Sequence, residues 1–195
     1  MRADWLAERD QFIEAQQAFH AAGKSQEALT VLEKLTSCAV TENRYNDAAH
    51  YYFLLSRQCV ELAKGDKEAY YLELETKHLS LSECYYAYNL VHRFVEEPFT
   101  NILQETLLYA SRFLWSRLSQ LQVTPPGISK VYVLYAFAKI ARQLGCYKTA
   151  RFCYHQLAQL KIPRGPIWET IQLGSVSIRG KPYRDSEGIY LIERL

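Results

Sequence analysis

Residues 145–157 read Gly145-x-Tyr147-x-x-Ala150-x-x-x-Tyr154-x-x-Leu157, after a stretch carrying Leu134, Phe137, Ala138 and Ala141 and before Pro163. The four- and three-residue steps place Ala150, Tyr154 and Leu157 on one helical face, and the apolar residues upstream repeat with the same period. Glycine permits a tight turn between two helices, and a small alanine just inside the second lets their backbones approach. The pattern therefore predicts an antiparallel pair of helices. Such a pair buries one face only and has to stack on neighbours.

Two weaker echoes precede it: Gly23-x-Ser25-x-x-Ala28-x-x-x-Leu32-x-x-Leu35 and Arg44-Tyr45-x-x-Ala48-x-x-x-Tyr52-x-x-Leu55. The spacing is close to that of a tetratricopeptide (TPR) repeat. The second echo starts about twenty residues after the first, so the helix leading into it is already the second helix of the previous unit, and the array is irregular. Elsewhere the period holds from Trp5 through Phe12, Ile13, Ala15 and Phe19, and through Ala48, Tyr52, Leu55, Cys59 and Leu62 up to Gly65. It continues over Glu68–Glu97 (Leu72, Leu79, Leu81, Tyr85, Tyr88, Val91), where Pro98 stops it, and over Thr100–Leu121 (Leu103, Leu107, Phe113, Leu114, Leu118). Thr124-Pro125-Pro126-Gly127 is a break, and further helices are predicted near Ser129–Leu144 and Lys148–Lys161. The expected fold is all-α: a TPR-like α-solenoid of about seven helices over residues 1–163. Residues 164–195 are expected to hold a short helix and an extended segment, Gly174–Tyr183, that lies along something else. The first helix is expected to want a neighbour that this chain lacks.

Composition narrows the function classes. With 49% hydrophobic residues and 15 tyrosines, global disorder is not expected, and 8 Gly and 6 Pro in 195 residues argue against many short strands. The longest wholly apolar run, Val131 to Ala138, ends after eight residues at Lys139, too short to span a bilayer. Asp4, Glu8, Arg9, Asp10 and Glu14 leave no signal-peptide core. The chain reads as soluble and intracellular, without direct membrane insertion. Its net charge of +2 divides into −6 over residues 1–98 and +8 over residues 99–195. Opposed surfaces of this kind steer protein docking. The basic residues are scattered among Val, Leu, Tyr and Phe rather than clustered, so nucleic acid is not an expected partner.

No catalytic or metal motif emerges. Cys38, Cys59, Cys84, Cys146 and Cys153 form no CxxC pair and read as buried thiols in a reducing compartment. His50, His78 and His92 lack the i, i+4 zinc spacing, and His155 sits beside Tyr154 on a packing helix. Gly23-Lys24 and Gly180-Lys181 lack the upstream glycines of a phosphate loop, and Glu73/Glu75 and Glu96/Glu97 read as solvated. No enzyme, cofactor or metal is expected. The tyrosine clusters Tyr51-Tyr52, Tyr70-Tyr71 and Tyr85-Tyr86-x-Tyr88 suit helix seams, with one ring of each pair turned about 100° onto a rim. Candidate protein-binding residues are Tyr51, Tyr71, Tyr86, Lys130, Lys139, Arg142, Arg179 and Lys181. An alternative function is a free-standing TPR module gripping short acidic peptides with Lys130, Lys139 and Arg142, which are at most partly aligned.

The ordered succession of motifs resembles one family. It includes Ala28-Leu29-x-Val31-Leu32-Glu33, Arg44-Tyr45-Asn46-Asp47-Ala48, Tyr51-Tyr52-x-Leu54-Leu55-Ser56 and Glu97-Pro98-Phe99-Thr100. It continues through Ser111-Arg112-Phe113-Leu114, Pro126-Gly127-Ile128-Ser129-Lys130-Val131, Leu144-Gly145-x-Tyr147, Ile178-Arg179-x-Lys181-Pro182 and Asp185-Ser186-Glu187. This is similar to the C-terminal helical region of the intraflagellar transport protein 122 family, the WD-repeat subunits of intraflagellar transport complex A. The resemblance covers roughly residues 25–187 and implies a scaffold role in retrograde ciliary transport, cilium assembly and trafficking of ciliary membrane proteins. The partners it implies are other complex A subunits, with membrane-protein cargo contacted indirectly, in cilium, basal body and cytoplasm. The family's WD-repeat propellers and its cysteine-bearing, zinc-ribbon-like end have no counterpart here, and the chain is expected to be one stretch of a longer solenoid.

Overall fold

The computed structural model describes residues 2–63, 67–96 and 104–186, with side chains over 11–63, 67–93 and 104–186. Gly65, the Glu97–Thr100 run with its Pro98 stop, Leu103, Glu187 and the tail Gly188–Leu195 lie outside the described residues, as do the side chains of Trp5 and Glu96. Eight helices and no strand occupy what is described: α1 (Arg2–Ala21), α2 (Ser25–Thr41), α3 (Tyr45–Leu62), α4 (Glu68–Glu96), α5 (Gln104–Gln120), α6 (Lys130–Gln143), α7 (Tyr147–Gln159) and α8 (Pro166–Ser177). None of them is long and apolar enough to cross a membrane.

The three sequence echoes are three copies of one turn. Gly23, Asn43 and Gly145 adopt φ of +70°, +59° and +74°. Each closes the preceding helix through the same pair of hydrogen bonds. Gly23, Asn43 and Gly145 N–H donate to the carbonyls of His20, Val40 and Arg142, and Lys24, Arg44 and Cys146 N–H donate to Phe19, Ala39 and Ala141. This is the left-handed helix stop that glycine favours and asparagine tolerates. Each turn leads into a helix (α2, α3 or α7) whose small residue, Ala28, Ala48 or Ala150, is fully buried. Other ends use local chemistry. Ser129 caps α6 by accepting from Tyr132 N–H at 3.3 Å, and Pro166 opens α8 where its missing N–H costs nothing.

The chain divides into two compact units, Met1–Tyr86 with Pro125–Gly127, and Ala87–Thr124 with Ile128–Leu195. The division falls inside α4 and in the Pro-Pro-Gly loop, whereas position 163 lies within the second unit. In the first unit, Leu29, Leu32, Leu35 and Ala39 of α2 are buried with Ala49, Leu55 and Cys59 of α3 and Cys84 and Tyr85 of α4. The stripe on α1 is only partly covered: Phe12 is 37% exposed, and no described side chain of α1 is buried. On α4 the apolar stripe is uneven too, since Leu72 is exposed while Tyr85 is buried. In the second unit one core joins Leu107 and Leu108 of α5, Leu134, Phe137 and Ile140 of α6, Ala150, Cys153, Tyr154 and Leu157 of α7, and Ile171 and Ile178.

Three expectations are corrected. Cys38 is exposed, because it faces away from the Leu32–Leu35–Ala39 stripe, while the other four cysteines are buried and none is in a disulfide. The extended segment begins later than Gly174: α8 runs to Ser177, and only residues 178–186 are irregular. Within α8 Gly174 lies so close to Tyr154 that a Cβ there would sit 2.7 Å from Tyr154 Cζ, which is why the helix carries a glycine at this position. Finally, Tyr51 is buried rather than on a rim.

Candidate functional site

In the first unit the tyrosines form a ladder. Tyr52 stacks on Tyr85 (centroids 5.3 Å apart, 7° between planes), Tyr45 stacks on the same ring at 6.4 Å, and His78 stacks on Tyr52 at 5.8 Å. Tyr85 and Tyr45 extend the ladder to the Pro-Pro-Gly loop: their hydroxyls donate to the carbonyls of Pro126 (2.8 Å) and Gly127 (3.2 Å). Buried phenols need such acceptors, and carbonyls in a loop too tight to bond one another supply them. Burial pushes the Tyr45 and Tyr52 hydroxyls above their ordinary value and Tyr85 further still. The Tyr45 and Tyr85 phenols therefore act as neutral donors that hold the loop. Burial, with Lys77 beside it, lowers His78 below the usual histidine value, so the ring is neutral near pH 7.

Two faces of this unit are concave. One cavity of about 410 Å³ has Ile13 and Gln17 of α1, Leu35 of α2, Tyr51 and Leu54 of α3 and Tyr86 of α4 in its wall. It brings Tyr51 and Tyr86 together, with Tyr86 the exposed partner at 45%. On another side, two adjoining cavities between α2 and α4 share Glu33 and His78. Here Tyr71 is half-buried and donates to Gln26 Oε1 at 3.1 Å, and it is Tyr70 that stands out, 57% exposed. Sequence spacing says that neighbouring rings diverge, but not which one the adjacent helix covers.

In the second unit residues 178–186 fold back on the start of α7. Cys146, at the cap position of α7, offers no side-chain bond to the helix. Instead Asp185 accepts from Thr149 N–H at 3.0 Å and from the Thr149 hydroxyl at 2.9 Å, while the Arg184 carbonyl accepts from Tyr147 and Lys148 N–H. A carboxylate here also faces the positive end of the helix dipole. Ser186 donates to the Leu144 carbonyl. Arg151 closes the strap, donating to the carbonyls of Ile178 (2.7 Å), Lys181 and Pro182 (3.0 Å), with Tyr183 under its guanidinium at 5.6 Å. Five donors in a fixed fork let one arginine bind several carbonyls. Burial, with Asp185 close by, pushes the Cys153 and Cys146 thiols up, so neither is a ready nucleophile.

The basic candidates do not gather. Lys139 and Arg142 lie one turn apart on α6, but Lys130 is nine residues before Lys139 and so half a revolution away. Arg142 donates to Ser177 Oγ of α8 at 3.0 Å, and burial, helped by Arg142, lowers the Lys139 ammonium below its usual value. Arg179 is exposed, and Lys181 sits 5.9 Å over the Tyr147 ring as part of the strap. The strap contacts were missed from sequence because Asp185 and Thr149 are 36 residues apart. The bare cap position at Cys146 was the available signal. Among the described residues, no group of three or more His, Cys, Asp and Glu side chains could hold a metal ion.

Comparison with known proteins bears on the same segments. The family model described as "IFT122, TPR domain" matches residues 1–132, which include two of the three repeated turns. Intraflagellar transport protein 122 homolog of Danio rerio is 47% identical over 189 residues, covering 96% of this chain and 16% of that protein. The homolog of Mus musculus is 47% identical over 186 residues, and that of Homo sapiens 46% over 186, each covering 95% of this chain. The chain thus spans about 15–16% of the length of the curated relatives it matches. A TPR-like helical array whose first two turns fall under the family's own TPR model, and which keeps close to half its residues in common with these proteins almost end to end, belongs to the intraflagellar transport protein 122 family.

Proposed function

We propose that this chain is a non-enzymatic scaffold segment of intraflagellar transport complex A. It works through protein–protein contacts in retrograde ciliary transport, cilium assembly and the trafficking of ciliary membrane proteins. The observation that carries this reading is the 46–48% identity over 95–96% of the chain to proteins named for intraflagellar transport in four vertebrates. The structure lends physical support. Stacked helix pairs offer broad faces rather than a closed reaction cleft, and Tyr70 and Tyr86 keep rings exposed beside concave surfaces. In this reading the direct partners are other complex A subunits, cargo is met through them, and the chain resides in the cilium, basal body and cytoplasm.

Affinity purification of the tagged chain from ciliated cells, followed by quantitative mass spectrometry, tests it. Recovery of complex A subunits well above an untagged control is expected. Their absence, with the chain itself intact and soluble, overturns the proposal.

A further inference from the structure

The outer face of α8 leaves large apolar groups in water. Leu173 is 71% exposed, more than any other large apolar side chain on a described helix, and Val176 is 52% exposed. At about 100° per residue these two sit about 60° apart, and Leu173 lies about 200° around the helix from Ile171, which α8 sends into the core. α8 therefore buries one side, where Gly174 meets Tyr154, and offers the other to a partner that would take Leu173 and Val176 out of water.

Where α8 ends, the surface turns positive. Arg179 and Lys181 N–H donate to the carbonyls of Val176 and Ile178, which fixes both residues at the last turn of the helix. Arg179, Lys181 and Arg184 are all exposed. Arg151 and Lys148 of α7 stand against the same segment, the first donating to the Ile178 and Pro182 carbonyls and the second, through its N–H, to that of Arg184. The carboxylate described in this segment, Asp185, is already bonded to Thr149. At the other end of the helix Glu169 is exposed, one turn before Leu173 on the same face and roughly 15 Å of helical rise before Arg179. Acidic, apolar and basic groups thus follow one another along one face.

The chemistry of this face selects its occupant. Backbone groups in the middle of α8 are bonded within the helix, so an extended segment finds no main-chain partner there and contact has to be made by side chains. A second helix supplies these, with apolar residues three and four positions apart. An anionic bilayer suits the face poorly, because Glu169 would be pressed against headgroups of its own sign together with Leu173.

We propose that this face receives an amphipathic helix of a partner protein. Its apolar residues cover Leu173 and Val176, carboxylates at one end meet Arg179 and Lys181, and a cation about ten residues away meets Glu169. This rests on the assembly reading above for its premise that the chain works through protein partners, and gives such a contact a place and a chemistry.

The test puts the photoreactive amino acid p-benzoylphenylalanine in place of Val176 in the tagged 195-residue chain, cross-links it in ciliated cells and identifies the attached segment by mass spectrometry. A partner segment with apolar residues at helical spacing, carboxylates at one end and a cation at the other is expected. Leu173→Glu should cut the cross-linking yield about tenfold or more, through loss of apolar burial. Arg179→Glu with Lys181→Glu should cut it about fivefold, by turning ion pairs into repulsions. Urea unfolding of both variants should be unchanged, because all three side chains are exposed. A segment of any other pattern, a second copy of this chain, no cross-link, or a yield indifferent to both changes overturns the proposal. So does flotation of the purified chain with phosphatidylcholine–phosphatidylserine vesicles that is lost in Leu173→Glu, which makes the face a membrane contact. The outcome is separate from the purification experiment: complex A subunits recovered without the cross-link sink the α8 face alone, and the cross-linked helix recovered without complex A subunits sinks complex membership alone.

Discussion

Replacing Asp185 probes whether the C-terminal strap holds α7 or merely rests on it. Asp185→Ala deletes both acceptors of Thr149, the N–H at 3.0 Å and the hydroxyl at 2.9 Å. Loss of a capping side chain costs about 1 kcal/mol. Thr149 is fully buried, so its stranded donors add about 1–3 kcal/mol. A destabilisation of about 2–4 kcal/mol is therefore expected for Asp185→Ala. Asp185→Asn keeps an oxygen for the N–H and turns its amide toward the Thr149 oxygen, losing mainly the charge, for about 1 kcal/mol. Urea unfolding followed by circular dichroism gives the two values, and hydrogen exchange of a peptide spanning Tyr147–Thr149 locates the effect. Thr149→Val closes a double-mutant cycle with Asp185→Ala, and strong coupling is expected between two residues joined by two hydrogen bonds. Equal stability of the Ala and Asn variants, with exchange in that peptide unchanged, would refute the capping role.

Glycine-to-alanine changes at two left-handed turns should differ. Gly23→Ala meets open space and pays only the backbone strain, about 1 kcal/mol, whereas Gly127→Ala also places its Cβ 3.2 Å from Tyr45 Cε1 and should lose about 2 kcal/mol by thermal unfolding. A native-state thiol assay should modify Cys38 at once and the four buried cysteines only as the chain opens. Cys59 is held doubly, since burial pushes its thiol up to about 11 and leaves about one part in a thousand as thiolate near pH 8. Stability should also fall on acidification through His78: its folded value lies below the ordinary 6.5, so its contribution is full above pH 6.5 and is lost as pH drops below it. His78→Leu should flatten that limb in unfolding curves taken between about pH 7.5 and pH 5, and an unchanged slope would show that other groups govern it.

What could be read without coordinates was whatever depends on near neighbours in the chain. The 3.6-residue period locates the helices because a helical face is defined within a few turns. Glycine at 23 and 145 marks two of the turns because few other residues accept positive φ cheaply. The turn at Asn43 is legible by the same logic, asparagine being the next most tolerant residue. Composition and the ordered motifs carry the family assignment.

The rest was decided by distance in sequence. Which ring of Tyr70-Tyr71 or Tyr85-Tyr86 is covered depends on the helix that happens to lie opposite. For this reason Tyr51, a rim candidate by spacing, is buried, and Tyr70 stands out in place of Tyr71. The basic trio of Lys130, Lys139 and Arg142 is at most partly aligned by sequence spacing, and on α6 one turn separates the last two while half a revolution sets the first apart. The end of α7 is capped by Asp185 and clasped by Arg151, contacts that span 36 and about 30 residues and leave no periodic trace. The sequence by itself determined a helical, repeat-built chain and its family, because periodicity and turn chemistry are local. Only the tertiary structure decided which aromatic rings, charges and grooves face outward, because burial is set by contacts between residues far apart along the chain.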